Sequence, residues 1–227
     1  IVEWAPPDAD IWLDGGHNAD AGEVLQRARD CNIVKTIASE LGAFDPAADR
    51  PVDVDAANER MRRDAEQHDE LWFYTVVNPK RSGWEERTDR ILEHPKCVGV
   101  KLHPRWNYWS VEEHGDRLFS FLSERNLLTL THTGNAGNEP DRFIPFANKY
   151  RGVRLILAHI GHSENGEFHD QIEAVKRSTQ GNVWADTSSS KVSRVSRSPS
   201  LCPASRTQSV AASPACNSPR TSCPRTS

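Results

Sequence analysis

Long apolar runs are missing from this chain of 227 residues. No run approaches the roughly 20 apolar residues that a membrane-spanning helix needs, and no secretory signal opens the sequence. The chain has five cysteines, but it lacks the Cys-x-x-Cys pairs that bind metals. Cys31 and Cys97 are isolated, which is typical of a reduced protein. These absences predict a cytoplasmic protein with no membrane partner.

The chain also has no large excess of positive or negative charge. The net charge is −4, which argues against a dedicated nucleic-acid binder. The hydrophobic content of 37% and the mean hydropathy of −0.66 are low for a compact enzyme. The length allows one good-sized domain. We therefore expect a small-molecule substrate and no nucleic-acid partner, with a homodimer as one option for assembly.

Acidic, glycine and aromatic residues are all absent from residues 191–227. A segment rich in Ser, Pro, Arg, Thr and Ala cannot bury enough apolar surface to offset the entropy lost on ordering. The composition predicts one domain over residues 1–190 and a disordered, low-complexity tail over 191–227. The tail is either natural or the product of a coding frame that slips near Lys191. The abrupt change midway through a strand pattern favours the slip.

Three short apolar runs in the middle of the chain each end in a histidine. The final residues are His103, His132 and His159, and turn-forming residues follow each of them. Helix-like segments separate the runs, so they are typical of parallel strands in βαβ units. Because α/β barrels place their active sites where such strands end, we expect these histidines and His162 to converge there. Converging imidazoles indicate a metal site.

The rest of the chain extends this pattern. Residues 1–18 contain Pro6-Pro7 and Gly15-Gly16 and are predicted to be an irregular loop. A unit of about 25 to 30 residues predicts a (β/α)8 TIM-like barrel, incomplete by two strands. The six predicted strands lie near residues 33–39, 71–77, 98–103, 127–132, 153–159 and 182–186.

Four motifs together resemble consecutive strand ends of the amidohydrolase superfamily. They are Gly-Val-Lys-Leu-His-Pro (99–104), Thr-His-Thr-Gly (131–134), Leu-Ala-His-Ile-Gly-His (157–162) and Asn-Val-Trp-Ala-Asp-Thr-Ser (182–188). The branch that they resemble most is the amidohydrolase-related (amidohydrolase 2 type) metal-dependent hydrolases. The resemblance covers roughly residues 19–190. It implies a distorted (β/α)8 barrel that holds one or two divalent metals, with zinc as the first expectation.

The resemblance also implies roles by position. His132 is similar to the metal ligand on strand 5. His159 is similar to the histidine on strand 6, which is either a ligand or the base that handles the water proton. Lys101 lies on strand 4, where members with two metals carry a carboxylated lysine, so we expect a catalytic role for it.

The residues after the strands are candidates for substrate contacts. We expect His103, Arg105, Trp106 and His162 to bind the substrate, with Arg105 or Arg142 holding a carboxylate. An inward-facing lysine is costly unless it is paired or modified, which supports a function for Lys101. Strand alternation supports both metal-ligand candidates: it places His132 on one face with Leu128 and Leu130, and His159 on one face with Leu155 and Leu157.

Two parts of the family pattern are missing. The chain has no His-x-His, since His17 stands alone before the first helix, so strand 1 is expected upstream of Ile1. The strand-8 aspartate is also missing, because Asp186 belongs to the preceding strand. We therefore expect weak or no metal binding by these 227 residues alone.

The family chemistry implies that a metal-bound hydroxide attacks the carbonyl of an amide, lactone or ester of a small organic acid. One alternative is a non-oxidative decarboxylase of the aminocarboxymuconate-semialdehyde type. Another is a catalytically inactive, truncated or frame-shifted fragment. A third is a TIM-like binding protein without a metal. The sequence leaves these alternatives open.

Overall fold

The structure is a computed structural model, and it describes residues 2–4, 20–44, 52–134, 137–159 and 169–186. The predictions made for His17, His162 and the tail at 191–227 lie outside the described residues.

Seven strands form one sheet in the described part of the chain, and each strand runs parallel to its neighbours. Their order in the sheet is their order in the sequence. A helix lies between each strand and the next, so the repeated βαβ units produce the arrangement of a β/α barrel. The strands are β1 Val2–Trp4, β2 Thr36–Glu40, β3 Leu71–Val76, β4 Cys97–Leu102, β5 Leu128–Thr131, β6 Arg154–Leu157 and β7 Val183–Ala185.

Three of the six described helices begin at a side chain that accepts a free backbone N–H group of the first turn. Asp20 Oδ1 accepts the N–H of Glu23 at 2.8 Å, and Ser110 Oγ accepts the N–H of Glu113 at 3.4 Å. None of the described helices is long and apolar enough to cross a bilayer. They are α1 Ala21–Asp30, α2 Val54–Gln67, α3 Trp84–Leu92, α4 Val111–Glu124, α5 Ile144–Lys149 and α6 His169–Arg177.

Apolar side chains fill two layers of the barrel. The larger layer lies between the strands and helices, where Leu102, Leu155 and Phe119 are fully buried. The smaller layer comes from the opposite face of the strands and is the barrel interior. It consists of Tyr74, Leu130 and Ala158, with Ile37, Val98, Leu128 and Ile156 packed against them. Which of these two faces a residue occupies determines whether it can reach the site described below.

The predicted β/α barrel is confirmed, and all six predicted strands are present. The prediction that strand 1 lies upstream of Ile1 was wrong, because Val2–Trp4 already pairs with β2. The irregular loop predicted over residues 1–18 is likewise wrong at Val2–Trp4, and residues 5–18 lie outside the described residues. Three residues are too few to show an alternating pattern, so only pairing with the buried β2 reveals this strand. β2 begins at Thr36 rather than at residue 33, and Ile33 and Val34 are exposed.

Candidate functional site

Four rings gather where β4, β5 and β6 end. The ring of His103 stacks on that of His132, with centroids 4.0 Å apart, and on that of Trp106, with centroids 4.2 Å apart. The rings of His132 and His159 meet edge to face at 4.7 Å. The predicted convergence of His103, His132 and His159 on one edge is therefore confirmed.

A β-bulge at Gly99 decides which residues of β4 reach this edge. Phe73 of β3 pairs with Cys97, whereas Tyr74 pairs with Gly99, so β4 carries one extra residue at this point. A Cβ at position 99 would lie 2.0 Å from the carbonyl oxygen of Leu128, so only glycine fits here.

The bulge inverts the alternation of β4. Val98 packs in the barrel interior, but Val100 and Leu102 pack against the helices. Lys101 and His103 therefore take the interior positions. Lys101 is only 1% exposed, and its charge acts on His103. Without the extra residue, the same sequence would direct both side chains toward the helices.

His132 reaches the site by regular alternation. Leu128 and Leu130 lie in the barrel interior, and His132 follows on the same face. Its backbone N–H donates to the carbonyl oxygen of Leu102 at 2.9 Å, which continues the pairing of β4 with β5 by one residue. His132 is 7% exposed, so the ring is held inside the barrel mouth.

His159 reaches the site by a different route. The expectation that it shares a face with Leu155 and Leu157 was wrong, because those two side chains pack against the helices while Ala158 faces the interior. The backbone of His159 has a φ of 66°, in the left-handed region. This conformation breaks the alternation and brings the ring beside His132.

The ring of His103 is fully buried and electrically neutral. Burial lowers its pKa well below the ordinary value, and the nearby positive charge of Lys101 lowers it further. The N–H of Trp106 donates to Nδ1 of His103 at 3.3 Å, so the proton of the neutral ring lies on Nε2. Nε2 has no hydrogen-bond partner in the described part of the chain. His103 is thus a hydrogen-bond donor toward the site and has no free lone pair for a metal.

The other predicted substrate contacts are spread around the rim. Trp106 is half-buried and stacks on His103, while Arg105 is exposed, with its backbone N–H donating to Asn138 Oδ1 at 3.1 Å. Arg142 forms partly exposed ion pairs with Glu112 and Glu139.

The sequence analysis assigned no role at this edge to three residues that shape it. Phe44 follows β2 and lies 5.3 Å from the His103 ring, between ring centroids. Asp186 follows β7, and its Oδ1 accepts the backbone N–H of His159 at 2.9 Å. Tyr74 lies in the interior, where burial and then the charge of Asp186 raise its pKa to about 12. Asp186 lies at the end of its strand, as the histidines lie at the ends of theirs. That position in the sequence could have indicated that Asp186 belongs to this edge.

The donors at this edge fit a zinc-type metal in part. Imidazole nitrogens bind zinc at about 2.0–2.1 Å, and the spacing of His132 and His159 allows one ion to bind both rings. Among the described residues, no three His, Cys, Asp or Glu side chains are grouped so that they could hold a metal ion. A third ligand would have to come from ranges outside the described residues, such as 160–168, which includes His162.

Comparison with known proteins supports this reading of the fold. An uncharacterised TIM-barrel protein from Bordetella bronchiseptica is similar in structure, with a TM-score of 0.56 and 13% sequence identity. The likeness covers 74% of this chain and 59% of that protein, so the chain spans less than two thirds of its length. No curated protein matches the chain. The family model described as amidohydrolase matches residues 5–214. Since this match covers most of the sequence, the chain belongs to the amidohydrolase family.

Proposed function

We propose that this protein is a metal-dependent hydrolase that acts on an amide, lactone or ester of a small organic acid. The observation that carries the proposal is the meeting of the His132 and His159 rings, 4.7 Å apart, where β5 and β6 end. The family consists generally of hydrolases and decarboxylases and typically uses a divalent metal. Zinc is the metal that suits two imidazoles best.

In this proposal His132 would hold the metal, and His159 would either be a second ligand or accept a proton at its ring nitrogen. When bound, the metal supplies a Lewis acid and an acidified water. His132 suits the role of ligand because its ring is buried and fixed by two stacked neighbours. The strained backbone of His159 suits a residue whose ring must be aimed.

The residues of β4 and its following loop would orient an acidic substrate. Lys101 places a positive charge inside the barrel mouth, and Arg105 adds another at the exposed rim. His103 would donate its Nε2–H to a substrate oxygen, since Nδ1 is already engaged by Trp106. Trp106 would form one apolar wall. His162 is a further substrate contact in this proposal, although it lies outside the described residues. We also propose that the protein acts in the cytoplasm, because Cys31 and Cys97 are free thiols.

The first prediction tests this proposal by metal binding and turnover together. Equilibrium dialysis of the metal-free chain against Zn²⁺ should show one weakly bound ion per chain. The loaded chain should hydrolyse at least one member of a panel of amides, lactones and esters of small carboxylic acids. His132→Ala should lower Zn²⁺ affinity and turnover together, by at least the 10–100-fold seen when a metal's supporting residues are lost.

The matched control is His68→Ala. His68 follows α2 and precedes β3, at the opposite end of the strands, so its loss should change neither measurement. If His132→Ala and His159→Ala both bind Zn²⁺ as the unchanged chain does, the proposed metal site is wrong. If the unchanged chain neither binds Zn²⁺ nor turns over any member of the panel, the inactive fragment is the better description. Release of CO₂ from an unsaturated acid without hydrolysis would instead identify the decarboxylase.

A further inference from the structure

We propose that Asp186 and Gln171 are positioning residues that hold the backbone of His159 in its left-handed conformation and thereby aim its ring at His132. The proposal rests on the function proposed for His159 only in its consequence for metal binding. We call the two side-chain contacts of Asp186 and Gln171 with the backbone of His159 the clamp. The clamp can be measured in the metal-free chain.

The conformation of His159 needs support. Its φ of 66° lies in a region that residues other than glycine rarely occupy, because the Cβ atom crowds the backbone there. An extended backbone at this position would continue the alternation of β6 and turn the ring toward the helices, where Leu155 and Leu157 pack. The site therefore requires the costly conformation.

Asp186 holds the amide side of His159. The N–H of Asp186 donates to the carbonyl oxygen of Leu157 at 3.0 Å, which fixes the residue beside the end of β6. From there its Oδ1 accepts the N–H of His159 at 2.9 Å. A hydrogen bond to a carboxylate is about twice as strong as one between neutral groups. The first residue after β7 thus fixes the backbone that follows β6.

Gln171 holds the carbonyl side. It lies on α6, its side chain is fully buried, and Nε2 donates to the carbonyl oxygen of His159 at 3.2 Å. Both backbone groups of His159 are therefore bound by side chains that come later in the sequence. This arrangement explains how a non-glycine residue stays in the left-handed region. It assigns Asp186 a role in geometry, through its oxygen as an acceptor, and not a role as a metal ligand.

Two substitutions of Asp186 distinguish its role as a hydrogen-bond acceptor from the effect of its negative charge. Asp186→Ala removes the acceptor, whereas Asp186→Asn keeps an oxygen that can accept the N–H of His159. Gln171→Met removes the donor on the other side at similar volume and without burying a charge. Asp30→Asn, at an exposed aspartate in the last turn of α1, is the matched control for loss of a negative charge.

The readout is the backbone amide of His159 in the metal-free 227-residue chain, followed by NMR chemical shift and hydrogen exchange. We expect a protected amide in the unchanged chain, in Asp186→Asn and in Asp30→Asn, and loss of protection in Asp186→Ala. Gln171→Met should shift the same resonance and lower its protection. If Asp186→Ala folds poorly, the retained protection in Asp186→Asn and the loss in Gln171→Met carry the test.

Zn²⁺ binding gives the second readout. Asp186→Ala should weaken it by about 10–100-fold, as expected for a residue that orients a ligand, and Asp186→Asn should restore it. An unchanged His159 amide in Asp186→Ala would overturn the clamp. So would an Asp186→Asn variant that loses Zn²⁺ as fully as Asp186→Ala, because the charge would then act directly. If no variant and no unchanged chain binds Zn²⁺, the proposed function fails while the amide measurement still decides the clamp.

Discussion

Single substitutions at His103 and His132 can distinguish a histidine that binds the metal from a neighbouring histidine that does not. The N–H of Trp106 occupies Nδ1, so Nε2 carries the proton and offers no lone pair. His103→Asn keeps an acceptor near Nδ1 and removes Nε2. We expect this variant to bind Zn²⁺ nearly as the unchanged chain does but to lose turnover, because a substrate oxygen loses its donor.

His132→Asn is the matched comparison for His103→Asn, since the two rings are stacked and both are buried. It should lose Zn²⁺ and turnover together. Parallel dialysis and rate measurements on the two variants decide the matter. Equal loss of Zn²⁺ in both would show that His103 is itself a ligand and that its proton lies on Nδ1 in the loaded protein.

His132 and His159 show how far residue patterns predict the site. Strand alternation correctly placed His132 inside the barrel, because β5 is regular up to that point. The same argument placed His159 on the wrong face. Its left-handed turn depends on bonds from Asp186 and Gln171, which are 27 and 12 residues away. Local periodicity carries no information about such distant partners, so the convergence was predictable and its geometry was not.

At the scale of elements, Asn58 joins α2 to the end of β3. Its amide donates to the carbonyl oxygen of Val76 at 2.9 Å and accepts the N–H of Val76 at 2.8 Å. Both bonds are buried. Asn58→Ala would leave two buried backbone groups without partners, at a cost of about 1–3 kcal/mol for each group left unsatisfied. We expect urea denaturation to show a clear fall in the free energy of unfolding.

Asn148→Ala is the control for this prediction. Asn148 also makes one donor and one acceptor bond to backbone groups, with Arg177 and Thr179, but both bonds are exposed. Water can replace them, so the loss should stay below about 1 kcal/mol. Equal losses in the two variants would show that burial of the Asn58 bonds contributes nothing to the attachment of α2.

Helices and strands differed in how well the sequence predicted them. The helix-like segments between the apolar runs are recognisable from sequence because caps and apolar stripes lie within or beside each helix, as with Ser110 before α4. β1 was missed because it has only three residues and is defined by its pairing with β2. The bulge at Gly99 escaped notice for a similar reason, since the approach of Leu128 comes from the next strand. Patterns within one element can be recognised from the sequence, whereas contacts between elements can be recognised only in the folded sheet.

At the scale of the whole molecule, the buried hydroxyl of Tyr74 and the half-buried thiol of Cys97 make the fold sensitive to alkali. Burial, and then the charge of Asp186, raise the pKa of Tyr74 from 10.0 to about 12, and burial raises the pKa of the Cys97 thiol from 9.0 to about 11. In both cases the folded state binds the proton more tightly than the unfolded chain. The stabilisation is therefore complete below the unfolded pKa and is lost as the pH rises through the folded pKa. The window is pH 9 to 11 for Cys97 and pH 10 to 12 for Tyr74.

Tyr74→Phe isolates the part of this effect that comes from the barrel interior. A shift of two pKa units corresponds to about 2–3 kcal/mol, so the unchanged chain should lose stability of this order as the pH rises above about 10. The variant should lose less over the same range, because it has no hydroxyl to ionise beside Asp186. Urea unfolding at several pH values between about 8 and 11.5 measures both slopes. Tyr108→Phe, at a residue that is 46% exposed, should leave the slope unchanged. If Tyr74→Phe loses stability as steeply as the unchanged chain, ionisation of Tyr74 is not what limits the barrel at high pH.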